Sequence, residues 1–278
     1  TLLFGEALID VYPDRRMVAG APLHVAAHLA VLGWDARLVS RVGDDQDGRE
    51  ILKLLRERGA GTSLVEVDPE LPTGTVTITF DDDGDHSFTI HRPVAWDAIA
   101  GPDDLPHHDV LCYGSLAGRD SRSRAALLRL LAASTAPLRV MDVNLRPPDV
   151  LAEVVAAGVA AATLIKAGGD ELEEVAMLAG CEPSPGGYFT ANPRLEWLCI
   201  TRGAAGAELL HRDGEHWIAE PPEVEVVDTV GAGDTLTAGL IDGLGRGRPP
   251  GEAIEEAVKL STSVVTRRGG LPPPLRPR

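Results

Sequence analysis

The segment Asp228-Thr-Val-Gly-Ala-Gly-Asp234 sets three residues with little or no side chain immediately before TLTAGLIDGL, where apolar and small residues recur at helical spacing. Gly231, Ala232 and Gly233 therefore open a helix whose first N–H groups lack intrahelical acceptors and can converge on an anion. Asp234 lies at the same helix start. A carboxylate there can cap the first turn or accept a proton from a bound hydroxyl, and the spacing alone leaves both open. The commoner phosphate loops are absent. No Gly-Lys pair occurs in the chain, which removes the G-x-x-x-x-G-K-[ST] loop, and Leu236 stands where a dinucleotide fingerprint needs its third glycine.

Other residue types could do chemistry if brought close. Asp10 closes a predicted strand, and its two oxygens can accept from adjacent hydroxyls or simply serve a turn. Arg146, in DVNLR, follows another strand end, where a planar guanidinium can clamp oxygens; a surface arginine before Pro147 is the plainer reading. His24 and His28 stand four apart on one predicted helix. Position 25 is Val rather than the glutamate of HExxH, which disfavours zinc and favours hydrogen bonding by the imidazoles. Cys112, Cys181 and Cys199 are odd in number and widely spaced, so neither a disulfide framework nor a metal knuckle is expected, and a reducing cytoplasm is the natural compartment.

The elements that must position these residues alternate. With 44% hydrophobic and 24% charged residues, the 278-residue chain has the composition of a folded globule rather than a disordered one. Its formal charge of −16 argues against nucleic acid as a partner, because phosphate backbones need clustered Lys and Arg. No apolar run approaches the ~20 residues that span a bilayer, and TLLFGEALIDVY lacks a basic leader region. Strands are predicted at Leu2–Phe4 continuing to Val11, Arg37–Val42, Val110–Tyr113, Leu138–Val143, Thr163–Ile165 and Trp197–Thr201. Helices between them run from Pro22 to a stop at Gly33, from Gln46 to Arg58, and over Ser121–Ala133, Asp170–Ala179, Asp234–Leu244 and Glu252–Thr266. That alternation feeds a mostly parallel sheet. Gly74–Phe80 and His86–His91 interrupt it as a hairpin around the Asp-Gly of DDDGD, either an edge decoration or a flap. Pro183–Gly187 reads as a surface loop, and the tail from Pro272 as a frayed end.

DTVGAGD followed by TLTAGLI resembles the C-terminal signature of the ribokinase-like (PfkB) carbohydrate kinases. GEALIDVYP, AGAPLHVAAHLAVLG, RVGDDQDG, PTGTVTITF, DVNLRP, KAGGDEL and TRGAAGA follow in that family's order. The opening and the APLHVAAHLA helix look most like fructokinase and 2-keto-3-deoxygluconate kinase members. The resemblance implies an α/β fold: a ribokinase-like three-layer α/β/α core with a mostly parallel sheet, plus a small β-sheet lid. It implies one kinase domain over 1–278, its lid formed by about 11–20 and 72–97. Asp234 becomes the general base, with Gly231, Ala232 and Gly233 as the anion hole and Arg146 beside the phosphate path. Asp10, Gly20, His24, Arg92 and Asn144 fall to the sugar. Lys166, Thr201, Gly203, Gly206 and Thr229 fall to ATP. Glu171 would organise Mg²⁺ through water, and Asp228 and Val230 match a K⁺ site found in some members.

Three positions depart from the pattern: Ala19 replaces a glycine, His24 stands where the family has a sugar-binding Asn, and Gly168 stands where Asn-x-x-Glu begins. A neutral His24 is expected to accept a sugar hydroxyl. The expected reaction moves the γ-phosphate of ATP to a hydroxymethyl group of a monosaccharide or sugar acid. A nucleoside kinase and a sensor without turnover are the alternatives. The expected partners are a small-molecule sugar and ATP, with no nucleic acid and no membrane, and the lid offers a surface for a homodimer.

Overall fold

Gly5, at φ +149°, turns the chain out of its first strand. A Cβ there would lie 2.6 Å from the Pro22 ring, so the bend requires glycine. The run expected from Leu2 to Val11 is thereby split into β1 (Leu2–Phe4) and β2 (Leu8–Val11), which belong to different sheets. The computed structural model describes residues 1–80 and 86–275; the turn expected in DDDGD lies outside the described residues.

The strands that follow are β3 (Arg16–Ala19), β4 (Arg37–Gly43), β5 (Val65–Asp68), β6 (Gly74–Phe80), β7 (His86–Ile90), β8 (Val110–Tyr113), β9 (Leu138–Asp142), β10 (Leu164–Gly168), β11 (Trp197–Thr201), β12 (Ala207–His211) and β13 (His216–Ala219). A nine-stranded sheet has the order β13-β12-β11-β10-β9-β8-β1-β4-β5 and a four-stranded sheet the order β3-β2-β6-β7. The large sheet is parallel except at β12 and β13, an antiparallel edge. Its helices are α1 (Ala21–Val31), α2 (Gln46–Glu57), α3 (Ser121–Ala133), α4 (Ala152–Ala161), α5 (Leu172–Ala179), α6 (Pro185–Ala191), α7 (Ala232–Gly245) and α8 (Pro250–Val265).

Strand periodicity explains the layering. Leu2 and Phe4 point into one cluster with Leu127 of α3 and Val155 of α4, whereas Leu3 points into another with Leu29 of α1 and Ile241 of α7. All three strand residues are fully buried, so helices must cover both faces. Burying each such side chain contributes ~1.5–3 kcal/mol. Helix α7, which carries the DTVGAGD motif at its start, is held close to α8 by glycines. A Cβ at Gly239 would lie 2.6 Å from Ala257 Cα, and one at Gly243 2.6 Å from Ala253 Cβ.

The small sheet begins at Leu8, ahead of the expected 11, and β2 pairs in parallel with β6. Ile9 and Val18 turn away from the cavity described below and pack with Ile51 and Leu55 of α2, so this half of the sheet is backed by a helix. The hairpin half instead carries Thr77, bonded to His91, and Thr79, bonded to Ser87, on its outer face. Two expectations are corrected. Ser184 caps the Gly187 N–H at 3.1 Å, which starts α6 where a loop was expected. The tail is docked as far as Leu275, whose N–H donates to Glu57 O at 3.2 Å, while Arg58 Nε donates to Pro272 O at 3.3 Å.

Candidate active site

The small sheet roofs a cavity of about 300 Å³ over the C-terminal ends of β9 and β10 and the start of α7. Asp10, Gly20, His24, Asn144, Arg146, Lys166, Thr229, Val230, Gly231, Gly233 and Asp234 all line it, from segments up to 224 residues apart (234 − 10). Leu8, Val76, Phe88 and Ile90 give the roof an apolar surface. A second cavity, of about 450 Å³, lies across the α7 terminus. Thr201, Gly203, Gly206 and Ala232 line it with Val226, Leu236, Val258 and Val265, and Thr229 and Gly233 belong to both cavities. Gly206 has φ +91°, and a Cβ there would lie 2.0 Å from Ala219 O, so this loop needs its glycine.

The wall between the cavities is the helix terminus. Gly231 adopts φ 77° at the N-cap, and Asp234 does not cap the helix with its side chain. Ala232 N–H reaches Thr229 O at 3.3 Å; the N–H groups of Gly231, Gly233 and Asp234 have no acceptor among the described residues. Three donors without acceptors and the positive end of the helix dipole therefore lie at the junction. Lys166 adds a full charge below it. Its Nζ would lie 2.9 Å from a Cβ on Gly233, and it donates to Asp142 Oδ1 at 2.8 Å, while Thr237 donates to the other Asp142 oxygen at 2.7 Å.

Asp234 Oδ2 lies 2.7 Å from His24 Nδ1. Burial pushes the Asp234 carboxyl up, but the His24 hydrogen bond and the charges of His24, Lys166 and Arg146 outweigh it and leave the group below the usual carboxylate range. The neighbouring acids go the other way. Burial raises Asp10 to about 6 against the opposing charges of His24 and Arg146. Burial likewise raises Glu6 to about 7, against hydrogen bonds from its own amide and that of Ala21.

Glu6 was missed by the sequence reading. It is buried, lines the first cavity and accepts from Ala21 N at 3.2 Å. Its signal was an acid inside an apolar run, but only Gly20 lets the next turn pass over it: at φ 121°, a Cβ on Gly20 would lie 2.5 Å from Glu6 O. His24 lines the cavity; its Nδ1 is engaged by Asp234, and its Nε2 is buried without a hydrogen-bond partner among the described residues.

Arg92 does not line the cavity; its exposed guanidinium pairs with Asp149 instead. Asn144 adopts φ 43°, a left-handed conformation that turns the chain sharply after β9 and sends Arg146 along the cavity edge. Arg146 also lines a groove of about 400 Å³ with Lys166, Asp170, Glu171 and Thr201. Both Glu171 oxygens accept backbone amides there, Leu145 N at 2.6 Å and Gly168 N at 2.7 Å, which stitches two strand-end loops together. Asp228 similarly accepts from Val230 N and Gly269 N, each at 3.0 Å.

A bundle of free amides between a polar cavity and an apolar one suits the passage of an anionic group between two bound molecules. The chain matches the pfkB family of carbohydrate kinases over residues 10–276 and belongs to that family. It is a carbohydrate kinase. It is 28% identical to aminoimidazole riboside kinase of Salmonella typhimurium, over 97% of this chain and 90% of that protein. It is 30% identical to fructokinase of Klebsiella pneumoniae, over 87% of this chain and 83% of the other. The crystal structure of the aminoimidazole riboside kinase of Salmonella enterica, complexed with aminoimidazole riboside and an ATP analogue, superposes with a TM-score of 0.81 at 25% identity, covering 97% of this chain and 94% of that one.

Proposed function

We propose that the chain transfers the γ-phosphate of ATP to a hydroxymethyl group of a furanose-type sugar or riboside held under the small sheet, with Asp234 as the base. The observation that carries this reading is the position of Asp234: a carboxylate held in its ionised form beside three amides without acceptors, lining the first cavity next to Gly233, which lines both. The sugar hydroxyl gives its proton to Asp234 while its oxygen attacks the γ-phosphorus. Charge on the transferring group meets the amides of Gly231, Gly233 and Asp234, with Lys166 beneath and Arg146 at the side. Asp10 and Glu6 accept from other hydroxyls, and the valine-lined cavity takes the adenine.

Among the described residues no cluster of three His, Cys, Asp or Glu could cage a metal ion. Mg²⁺ keeps its waters and binds largely through nucleotide phosphates, so it would need few ligands from the chain. Glu171, with Asp170 and Glu174 on the same groove, would hold those waters, and the ion would neutralise phosphate charge. The two loops pinned by Asp228 are where a monovalent cation would bind, through backbone carbonyls.

One observation favours a riboside over a free hexose. Leu8, Val76, Phe88 and Ile90 form an apolar roof that suits a flat heterocycle, whereas a free sugar leaves it uncovered. ADP release should be measured with fructose, 2-keto-3-deoxygluconate, aminoimidazole riboside and common nucleosides, using Asp234→Asn as control. The variant should lose ~10²–10⁴ in kcat with ATP affinity little changed. A folded Asp234→Asn protein with near-wild-type kcat would sink the mechanism. No turnover with any acceptor would favour the sensor.

A further inference from the structure

We propose that His24 is the positioning partner of Asp234, fixing one carboxylate oxygen so that the other meets the sugar hydroxyl and setting the pH down to which the base can act. The inference rests on Asp234 being the base.

The geometry is specific. His24 Nδ1 and Asp234 Oδ2 are 2.7 Å apart, with side-chain exposures of 3% and 15%. A carboxylate can only accept, so Nδ1 carries the proton and donates. Two glycines lock the ring in place. A Cβ on Gly270 would lie 2.9 Å from His24 Cε1, and a Cβ on Gly231 would lie 2.3 Å from Gly270 Cα, so the ring lies against bare backbone. His28, one turn further along α1, bonds Gly270 O at 2.8 Å and Thr235 Oγ1 at 3.0 Å, and Thr235 donates to Gly231 O at 2.7 Å. The backing of the His24 ring is therefore tied to the helix that carries Asp234.

Three acids in one cavity act as an internal comparison. Glu6 is buried and Asp10 partly buried, neither has a hydrogen bond from a cationic side chain among the described residues, and desolvation raises both. Asp234 is partly buried too, yet it alone is lowered, and the His24 hydrogen bond and charge are the largest effects on that side. Burial pulls the His24 imidazole down, but the Asp234 hydrogen bond and charge, then Asp10, outweigh it and raise it. Lys166 from β10 and Arg146 from the loop after β9 also act on Asp234, and His28, which burial keeps neutral near 4, lies beside the pair; Asp228 before α7 acts on Asp10 and Arg267 after α8 on His28.

The transfer balances without moving the His24 proton. The hydroxyl O–H bond breaks and its proton goes to Asp234. The hydroxyl oxygen bonds the γ-phosphorus, and the bond to the β-phosphate oxygen breaks with its electron pair leaving on ADP. His24 holds Oδ2 throughout, which leaves Oδ1 for the proton.

The test is the kcat–pH profile, at saturating ATP and sugar, of the wild type, His24→Asn and His24→Leu. Asn keeps an N–H donor but no charge; Leu keeps neither. Removing the cation raises the Asp234 pKa, so the acid limb should move up by about one pH unit or more in both variants. His24→Leu should in addition lose roughly 10-fold more kcat than His24→Asn at pH 8. An unmoved acid limb, or an effect confined to the sugar KM, overturns the inference and makes His24 a sugar contact or a packing residue. Where a variant fails to fold, NMR titration of the His24 imidazole in the wild type and Asp234→Asn decides: its pKa should fall by about a unit or more in the variant, and an unchanged value overturns the pairing. Asp234→Asn with intact kcat would remove the base reading itself. An inactive Asp234→Asn with an unmoved limb in the His24 variants removes only this inference.

Discussion

Glu6→Gln should make the free protein more stable at pH 8 and no more stable at pH 5. Glu6 is buried and its pKa lies near 7 instead of the ordinary 4.5. A carboxyl raised in the folded state favours folding in its protonated form. The stabilisation is complete below the unfolded value and is lost as pH rises through 7. Between these values lie about 2.5 pKa units, so ionising Glu6 at pH 8 costs the folded chain ~3 kcal/mol. Gln keeps the oxygen that accepts from Ala21 N–H but adds donors that need partners, so the net gain should be nearer ~2 kcal/mol. For a chain of this size that is a rise in Tm of roughly 4–8 °C. Urea unfolding of the wild type and the variant at pH 8 and pH 5 measures it. Destabilisation at pH 8, or an equal gain at both pH values, would refute the reasoning. A carboxylate kept in the cavity at this cost should serve the acceptor, so the same variant should raise the sugar KM by roughly 10-fold.

Asp10, raised to about 6 by burial, stops accepting with both oxygens once protonated; the sugar KM should therefore climb as pH falls through 6, and Asp10→Asn should give a high but flat KM. An equal slope in that variant would place the titration elsewhere. Amide exchange in Gly74–Phe80 and His86–Ile90 should slow when a true substrate saturates the cavity, because Val76, Phe88 and Ile90 roof it while the hairpin's outer face carries Thr77 and Thr79. Unchanged exchange would make the hairpin a fixed wall.

The helix start at 231–234 was legible because its signal is local: glycines at 231 and 233 ahead of a helical period specify a bare helix terminus wherever the rest of the chain goes. The parallel strands β4, β8, β9, β10 and β11 and the helices α2, α3 and α5 followed from periodicity for the same reason, whereas β5, α4 and α6 did not. The split at Gly5 was not legible, since an apolar run reads the same whether it stays in one sheet or passes between two; the tertiary neighbour Pro22 decides. Strands β12 and β13 were missed although their burial alternates, because AELLH and HWIA are short and carry acidic and basic residues on the outer side. The contact between His24 and Asp234 was not legible for a plainer reason: the two are 210 residues apart, and only the packing of α1 on α7 brings them together.

That packing also explains how a chain of formal charge −16 can receive an anion. Long-range charge repels a nucleotide, but over distances beyond ~8 Å it is largely screened at physiological salt, so the few groups at the junction decide. There Lys166 is committed to Asp142 and His24 to Asp234, and each buried acid offsets its own cation. Full charges therefore nearly cancel in the wall, and the fixed dipoles of three unpaired amides, with Arg146 at the rim, are what remain directed at the arriving phosphate. A second uncompensated cation in place of His24 would attract ATP more strongly, but it would also stabilise bound ATP before transfer as well as during it, which raises affinity without raising kcat. With Asp234 as the proposed base, its pairing with His24 places the positive charge where the hydroxyl proton would go.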